Sequence, residues 1–199
     1  VKKLYKKAES KPGNIREMCD LADSICETLD DKKWGRKVYK KAADEAEEYS
    51  DFYELADIMC DKLGDKQEAM ALYKQAEGRA EDSSDLHGLA ECLCEKLGDE
   101  EWARKVYSKA ENKAKDSVDF CALADSLLKS LSDEEWARRL YRKAEDKAKE
   151  SFDFRDLADS LLEKLGDAKW ANKLYRKAED RAKAFYEFCW LAESLHQNL

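Results

Sequence analysis

Seven cysteines and two histidines are the side chains of this sequence with the widest chemical reach, and their spacing decides whether they can act together. Cys26, Cys60 and Cys94 follow one another at a constant interval, His87 precedes Cys94 by seven positions, and Cys189 precedes His196 by seven. Seven residues of helix set two side-chain origins roughly 10 Å apart, too far for both to ligate one tetrahedral zinc. Cys92 and Cys94 are two apart on a helix and diverge. The position held by Cys94 is held by Leu128 and Leu162 further along, so the thiol serves there as a small apolar group. No metal site and no cofactor are expected. The sequence carries no nucleophile motif and no glycine-rich phosphate loop, and at 41% charged residues carboxylate pairs arise by default, so a non-enzyme is expected.

The elements that position these residues repeat. Leu29, Leu63, Leu97, Leu131, Leu165 and Leu199 recur at one fixed interval, and Tyr5, Tyr39, Tyr73, Tyr107, Tyr141 and Tyr175 recur at the same interval, as do Ala8, Ala42, Ala76, Ala110, Ala144 and Ala178. A fixed period of this size marks a solenoid, in which each unit buries its apolar face against its neighbours. From Asp99 as N-cap, Trp102, Ala103, Val106, Tyr107, Ala110 and Ala114 recur at helical spacing and predict one helix, here the W-helix. Asp116 with Asp119 predicts a second cap, after which Phe120, Leu123, Ala124, Leu127, Leu128 and Leu131 form the inner face of a second helix, the F-helix. In the first repeat Pro12-Gly13-Asn14 breaks the chain at the same point, and Asn14 with Glu17 reads as a capping box. The expected division is one repeat array, 1–199, with repeats at approximately 1–30, 31–64, 65–98, 99–132, 133–166 and 167–199. Glu68 replaces the tryptophan seen at Trp34, Trp102, Trp136 and Trp170, and Gly35 replaces an alanine; both predict looser packing locally.

Composition agrees with helices: 43% hydrophobic residues, one proline and seven glycines. A formal charge of -8 argues against nucleic acid or an anionic membrane surface as partner. An odd number of cysteines without a C-x-x-C pair suits a reducing compartment, hence a cytoplasmic setting. No transmembrane run and no signal peptide are visible, though Val1 already falls inside a repeat and an earlier segment is an open expectation.

Phe120-x-x-Leu123-Ala124-x-x-Leu127, followed by Ala137-x-x-x-Tyr141-x-x-Ala144, resembles the tetratricopeptide pattern W-x-x-L-G-x-x-Y…A-x-x-x-F, and the resemblance covers essentially the whole chain. The sequence departs from that pattern in the alanine at the small-residue position, the leucine at the tyrosine position and the missing closing proline. The resemblance implies an all-α, right-handed α-solenoid of about six αα-hairpin repeats, a tetratricopeptide-like superhelix whose F-helices line a concave groove that binds a segment of another protein. It points to the two most scrambled columns as the positions that touch such a ligand. One runs through Cys19, Tyr53, His87, Cys121, Arg155 and Cys189, and the next through Asp20, Glu54, Gly88, Ala122, Asp156 and Trp190. Drift at half-exposed sites would also scramble them.

Four positions beyond the first of these columns, Asp23, Asp57, Glu91, Asp125, Asp159 and Glu193 keep an acid in every unit. They either draw an acidic stripe along the groove, favouring a basic peptide, or pair with W-helix arginines such as Arg36, Arg104 and Arg138. At the far end Phe185, Tyr186, Phe188, Trp190 and Leu195 either pack inward or meet another protein, including a second copy joined end to end as a homo-oligomer. The expected function is a protein- or peptide-binding scaffold, with a self-assembling structural protein as the alternative. The stretches ending at Ser130 and Lys164 agree at 23 of 34 positions, as recent duplication or consensus design of a scaffold without a native ligand would produce.

Overall fold

The computed structural model describes residues 1–11 and 13–198, with 197 and 198 described by backbone alone. Pro12, expected to break the chain, and Leu199, the last leucine of the series, lie outside the described residues. Among the described residues there are twelve α-helices and no strand, so the fold is all-α, and none of these helices is long and apolar enough to cross a membrane. The W-helices are α1 (Lys2–Glu9), α3 (Lys32–Asp44), α5 (Lys66–Arg79), α7 (Glu100–Lys113), α9 (Glu134–Lys147) and α11 (Ala168–Arg181). Between and after them come the F-helices α2 (Ile15–Leu29), α4 (Tyr49–Asp61), α6 (Ser83–Cys92), α8 (Ser117–Leu131), α10 (Ser151–Leu165) and α12 (Phe185–Asn198). A π-helical turn, Leu93–Leu97, prolongs α6.

The caps explain where each helix begins. Asp31, Asp65, Asp99, Asp133 and Asp167 each accept the backbone N–H three positions on, at 2.9 to 3.3 Å, satisfying one of the orphan donors of a W-helix first turn. Ahead of α8, Asp116 accepts the Asp119 N–H at 3.0 Å while the Asp119 carboxylate accepts the Lys115 N–H at 2.8 Å. Asn14 and Glu17 bond reciprocally, at 2.8 and 3.0 Å, as a capping box. The turn from F-helix to W-helix needs one left-handed residue, supplied by Gly64, Gly98 and Gly166, and by Asp30 and Ser132 with φ of 51° and 52°.

The chain divides into two compact units, Val1–Glu81 with α1 to α5 and Asp82–Leu199 with α6 to α12. In the first unit α2 packs along α3 and α4 along α5; in the second α6 packs along α7, α8 along α9 and α10 along α11. The closest pairing therefore joins an F-helix to the W-helix after it, so the packing unit is offset by one helix from periods that begin at 31, 65, 99, 133 and 167. Ala103, Val106, Tyr107 and Ala110 of α7 are buried, as are Phe120, Leu123, Ala124 and Leu127 of α8. Burying a leucine such as Leu123 fully stabilises by about 2 kcal/mol, which makes this apolar stripe the main source of cohesion. Within the second unit α8 also packs against α6 and α10, and α12 against α10, which brings successive F-helices side by side.

Candidate partner-binding face

The constant acid column is tied into the packing of four hairpins. The hydroxyl of Tyr39 donates to Asp23, Tyr73 to Asp57 at 2.6 Å, Tyr141 to Asp125, and Tyr175 to Asp159 at 2.6 Å. Each rung joins side chains 16 residues apart and ties the following W-helix to the middle of its F-helix. Further donors share these carboxylates: Lys62 on Asp23, Ser160 on Asp125 at 3.1 Å, and Ser194 on Asp159 at 2.9 Å. Where the acid is Glu91, the rung changes, and Tyr107 shares a hydrogen bond of 2.9 Å with Ser126. Tyr5 makes the same contact with Ser24 at 2.7 Å.

These environments shift the phenols and acids. Burial, with Asp23 beside it, pushes the Tyr39 phenol well above its usual range; burial and Asp125 do the same for Tyr141. Burial, working against the Ser126 and Ser130 bonds, lifts Tyr107 to about 12. Burial also raises the Asp125 carboxyl, outweighing the donors Tyr141 and Ser160.

The arginines do not reach this column. Arg36 pairs with Asp65 at 3.2 Å, Arg104 with Asp133 at 2.7 Å and Arg138 with Asp167 at 2.8 Å, so each arginine meets the capping aspartate of the next W-helix instead. A second link between W-helices was not foreseen from the sequence. Glu9 accepts the indole N–H of Trp34 at 2.9 Å and the ammonium of Lys41; Glu111 accepts Trp136 at 2.8 Å and Lys143 at 2.7 Å; Glu145 accepts Trp170 at 2.7 Å and Lys177. The signal was present in the constant offsets of 25 and 32 residues between these partners.

The variable columns lie on the F-helices beside the rungs. Cys19, Tyr53, His87, Cys121, Arg155 and Cys189 are half-buried; Asp20, Glu54, Asp156 and Trp190 are exposed; Gly88 and Ala122 are half-buried. Tyr53 stacks on Tyr49 with centroids 5.6 Å apart and meets the edge of Tyr73 at 6.2 Å. Arg155 bonds Asp156 at 2.5 and 2.9 Å and holds its guanidinium 5.4 Å over the Trp190 ring. The Cys121 thiol donates to Ser160 at 3.4 Å.

In the second unit these residues border two open grooves. One, of about 650 Å³, runs across α6, α8 and α10 and is lined by His87, Glu91, Ala122, Asp125, Lys129, Glu163 and Lys164, among others. The buried Nδ1 of His87 has no hydrogen-bond partner among the described residues. The other, of about 350 Å³, is bordered by Arg155, Asp159, Trp190, Glu193 and Ser194. The acids here are partly balanced by cations, since Lys129 bridges Glu91 at 3.5 Å and Glu95 at 2.9 Å.

The cysteines are free thiols, and four of them sit in poor environments for ionisation. Burial, helped by Asp23, pushes Cys19 up to about 11; burial, helped by Asp125, pushes Cys121 up to about 12; burial also raises Cys26 and Cys94. Among the described residues no group of three or more histidine, cysteine, aspartate or glutamate side chains is placed to hold a metal ion. No protein-family model matches the chain, and no curated protein matches it.

Proposed function

We propose that this chain is a tetratricopeptide-like, right-handed α-solenoid of about six repeats that acts without catalysis, binding an extended segment of a partner protein along its F-helix face. The observation that carries the reading is the placement of the most varied residues, His87, Ala122, Arg155 and Trp190, on open grooves beside a column that keeps an acid in every repeat, here Glu91, Asp125, Asp159 and Glu193. Variation on a constant frame is what a surface tuned to one ligand needs. The raised thiol values of Cys19 and Cys121 support a non-catalytic role, because little thiolate nucleophile exists at neutral pH. The free cysteines suit a reducing compartment.

The exposed carboxylates Asp20, Glu54, Asp156 and Glu193 favour a segment that carries lysine or arginine. Lys129 and Lys164 in the larger groove are already paired, with Glu91 and Glu95 and with Glu163, and leave that preference in place. The test is a peptide array of lysine- and arginine-bearing sequences, followed by fluorescence anisotropy on the best binder. Tyr53→Ala and Arg155→Ala are each expected to weaken binding by about tenfold, or 1.4 kcal/mol, with helicity by circular dichroism unchanged. Unchanged affinity in both variants would overturn the assignment of the face.

A further inference from the structure

The charges of the first unit are sorted by helix. α3 carries six lysines and arginines against one acid, and α1 carries four lysines against one acid. α2 carries one arginine against four acids, and α4 carries four acids and no lysine or arginine. The cations of α1 and α3 border a groove of about 690 Å³, lined by Lys2 and Lys6 from one helix and by Lys33, Lys37 and Lys41 from the other. All five ammonium groups belong to exposed residues. Trp34, half-buried, also lines the groove, and its indole N–H reaches from α3 to Glu9 of α1.

Two of these lysines are engaged within the chain: Lys41 bonds Glu9, and Lys2 approaches Asp31 at 3.9 Å. Lys6, Lys33 and Lys37 have no carboxylate partner among the described residues. Other seams between W-helices do not leave such a surplus. From α3 to α5, Arg36 meets Asp65 at 3.2 Å and Lys40 meets Glu68 at 3.7 Å, while Gln67, Ala71 and Gln75 stand where α3 has Lys33, Lys37 and Lys41. From α9 to α11 the cations are kept, but Asp167 takes Arg138, and Glu145 takes Lys173 and Lys177. Lysines four apart on one helix repel each other, so an unneutralised row brings the fold no stability. What the row lacks is a counter-charge from outside the chain.

We propose that the groove between α1 and α3 docks an acidic segment of a partner protein, an extended stretch with aspartate or glutamate at alternate positions. The spacing suits such a chain. Lys33, Lys37 and Lys41 are four residues apart, a rise of about 6 Å from each to the next, and side chains on one side of an extended chain are about 6.6 Å apart. The Trp34 ring offers the segment an apolar surface between the charges. Nucleic acid fits less well, because Glu9 and Asp31 sit among the lysines and would repel an unbroken line of phosphates. The formal charge of -8 also removes the long-range attraction that such a polyanion needs. None of the groove residues belongs to an F-helix, so the proposal is independent of any ligand on the F-helix face.

The test is fluorescence anisotropy on the full chain at low salt, with a fluorescein-labelled peptide of alternating glutamate and alanine as the probe. Saturable binding that weakens as salt is added is expected. Lys33→Glu with Lys37→Glu is expected to weaken it at least about tenfold, with circular dichroism as the check on folding. Lys66→Glu with Lys115→Glu makes the same change of net charge at exposed positions outside the groove, and is expected to weaken binding no more than about twofold. Should the first pair of changes reduce helicity, Lys33→Gln with Lys37→Gln serves in its place, with an expected loss of about threefold or more. Absence of saturable binding to the wild type would overturn the proposal, as would equal losses from the groove pair and the control pair. A single-stranded oligonucleotide of the same length that binds as tightly as the peptide would overturn it too, and would hand the groove to nucleic acid.

Discussion

The junction between α3 and α5 and the junction between α9 and α11 occupy equivalent places in the two units, yet they are joined by different chemistry. From α9 to α11, Glu145 gathers the Trp170 indole and the Lys177 ammonium, and Arg138 holds Asp167. From α3 to α5 the equivalent three positions are Ala43, Glu68 and Gln75, and what remains is Arg36 on Asp65 and Lys40 on Glu68 at 3.7 Å. All three members of the cluster have changed together. A tryptophan without its acceptor would leave an indole N–H half-buried and unpaired, and a glutamate without its donors would be desolvated for nothing, so each member is useful only with the others. The comparison teaches that this cluster is one unit of selection, whereas the arginine–aspartate link, exposed and tolerant, persists without it.

Removing the acceptor separates the two junctions most sharply. Glu145→Ala is expected to cost about 2 kcal/mol in urea unfolding, because charge-assisted bonds to a mostly buried carboxylate are lost, while Glu68→Ala is expected to cost about 0.5 kcal/mol or less. Equal losses would remove the distinction. Transplanting the cluster is the converse experiment: Ala43→Glu, Glu68→Trp and Gln75→Lys together should stabilise by about 1 kcal/mol more than the three single changes summed. A purely additive result would mean that the cluster is no unit.

Acid sharpens the contrast further. At Glu111 and Glu145 burial pulls upward, but the bonds from Lys143 with Trp136 and from Lys177 with Trp170 outweigh it and hold both carboxyls below their ordinary 4.5. A depressed carboxyl contributes stability that is complete above 4.5 and lost as the pH falls through its folded value. Hydrogen exchange should therefore show α9 and α11 opening in acid, Glu145→Gln should abolish part of that dependence, and α5 should show less of it, since Ala43 stands where the acceptor carboxylate would be. The smallest effect belongs to Gly35. A Cβ there would stand 2.1 Å from the Cys26 Sγ and 3.2 Å from the Ala22 carbonyl oxygen. Cysteine and alanine coexist at the equivalent positions Cys60 with Ala69 and Cys94 with Ala103, so the thiol has room to turn. Gly35→Ala should shift the unfolding free energy by no more than about 0.5 kcal/mol, the helix-propensity gain and the thiol's displacement nearly cancelling. A loss beyond that would show that α3 is more tightly fitted than its neighbours.

Helix limits were legible in the sequence because their causes are local. Asp99, Asp116 and Asn14 cap what their spacing says they cap. Partners across helices were not legible, because the rotation of one helix against the next does not follow from periodicity within either. Asp125 and Arg138 are thus each engaged, but with Tyr141 and Asp167 rather than with neighbours of each other's kind. Repeat arithmetic held the missing information, in the fixed offsets that separate tyrosine from acid, indole from glutamate, arginine from capping aspartate and lysine from glutamate. At the candidate face, the sequence located the variable positions but could not tell the scaffold share from the ligand share. Cys121, bonded to Ser160, and Tyr53, stacked on Tyr49, also brace the F-helices on which they sit.

The fixed offsets have an evolutionary consequence. A recombination that deletes or inserts one whole repeat in register rejoins an acceptor such as Glu111 to a donor pair such as Trp170 and Lys177, which is the same set of partners it had before. Chain length can then drift in whole steps with every seam still matched. The exception is a crossover between the α3–α5 seam and any other, which would set Ala43 against a tryptophan in one descendant and strand a glutamate without its indole in the other.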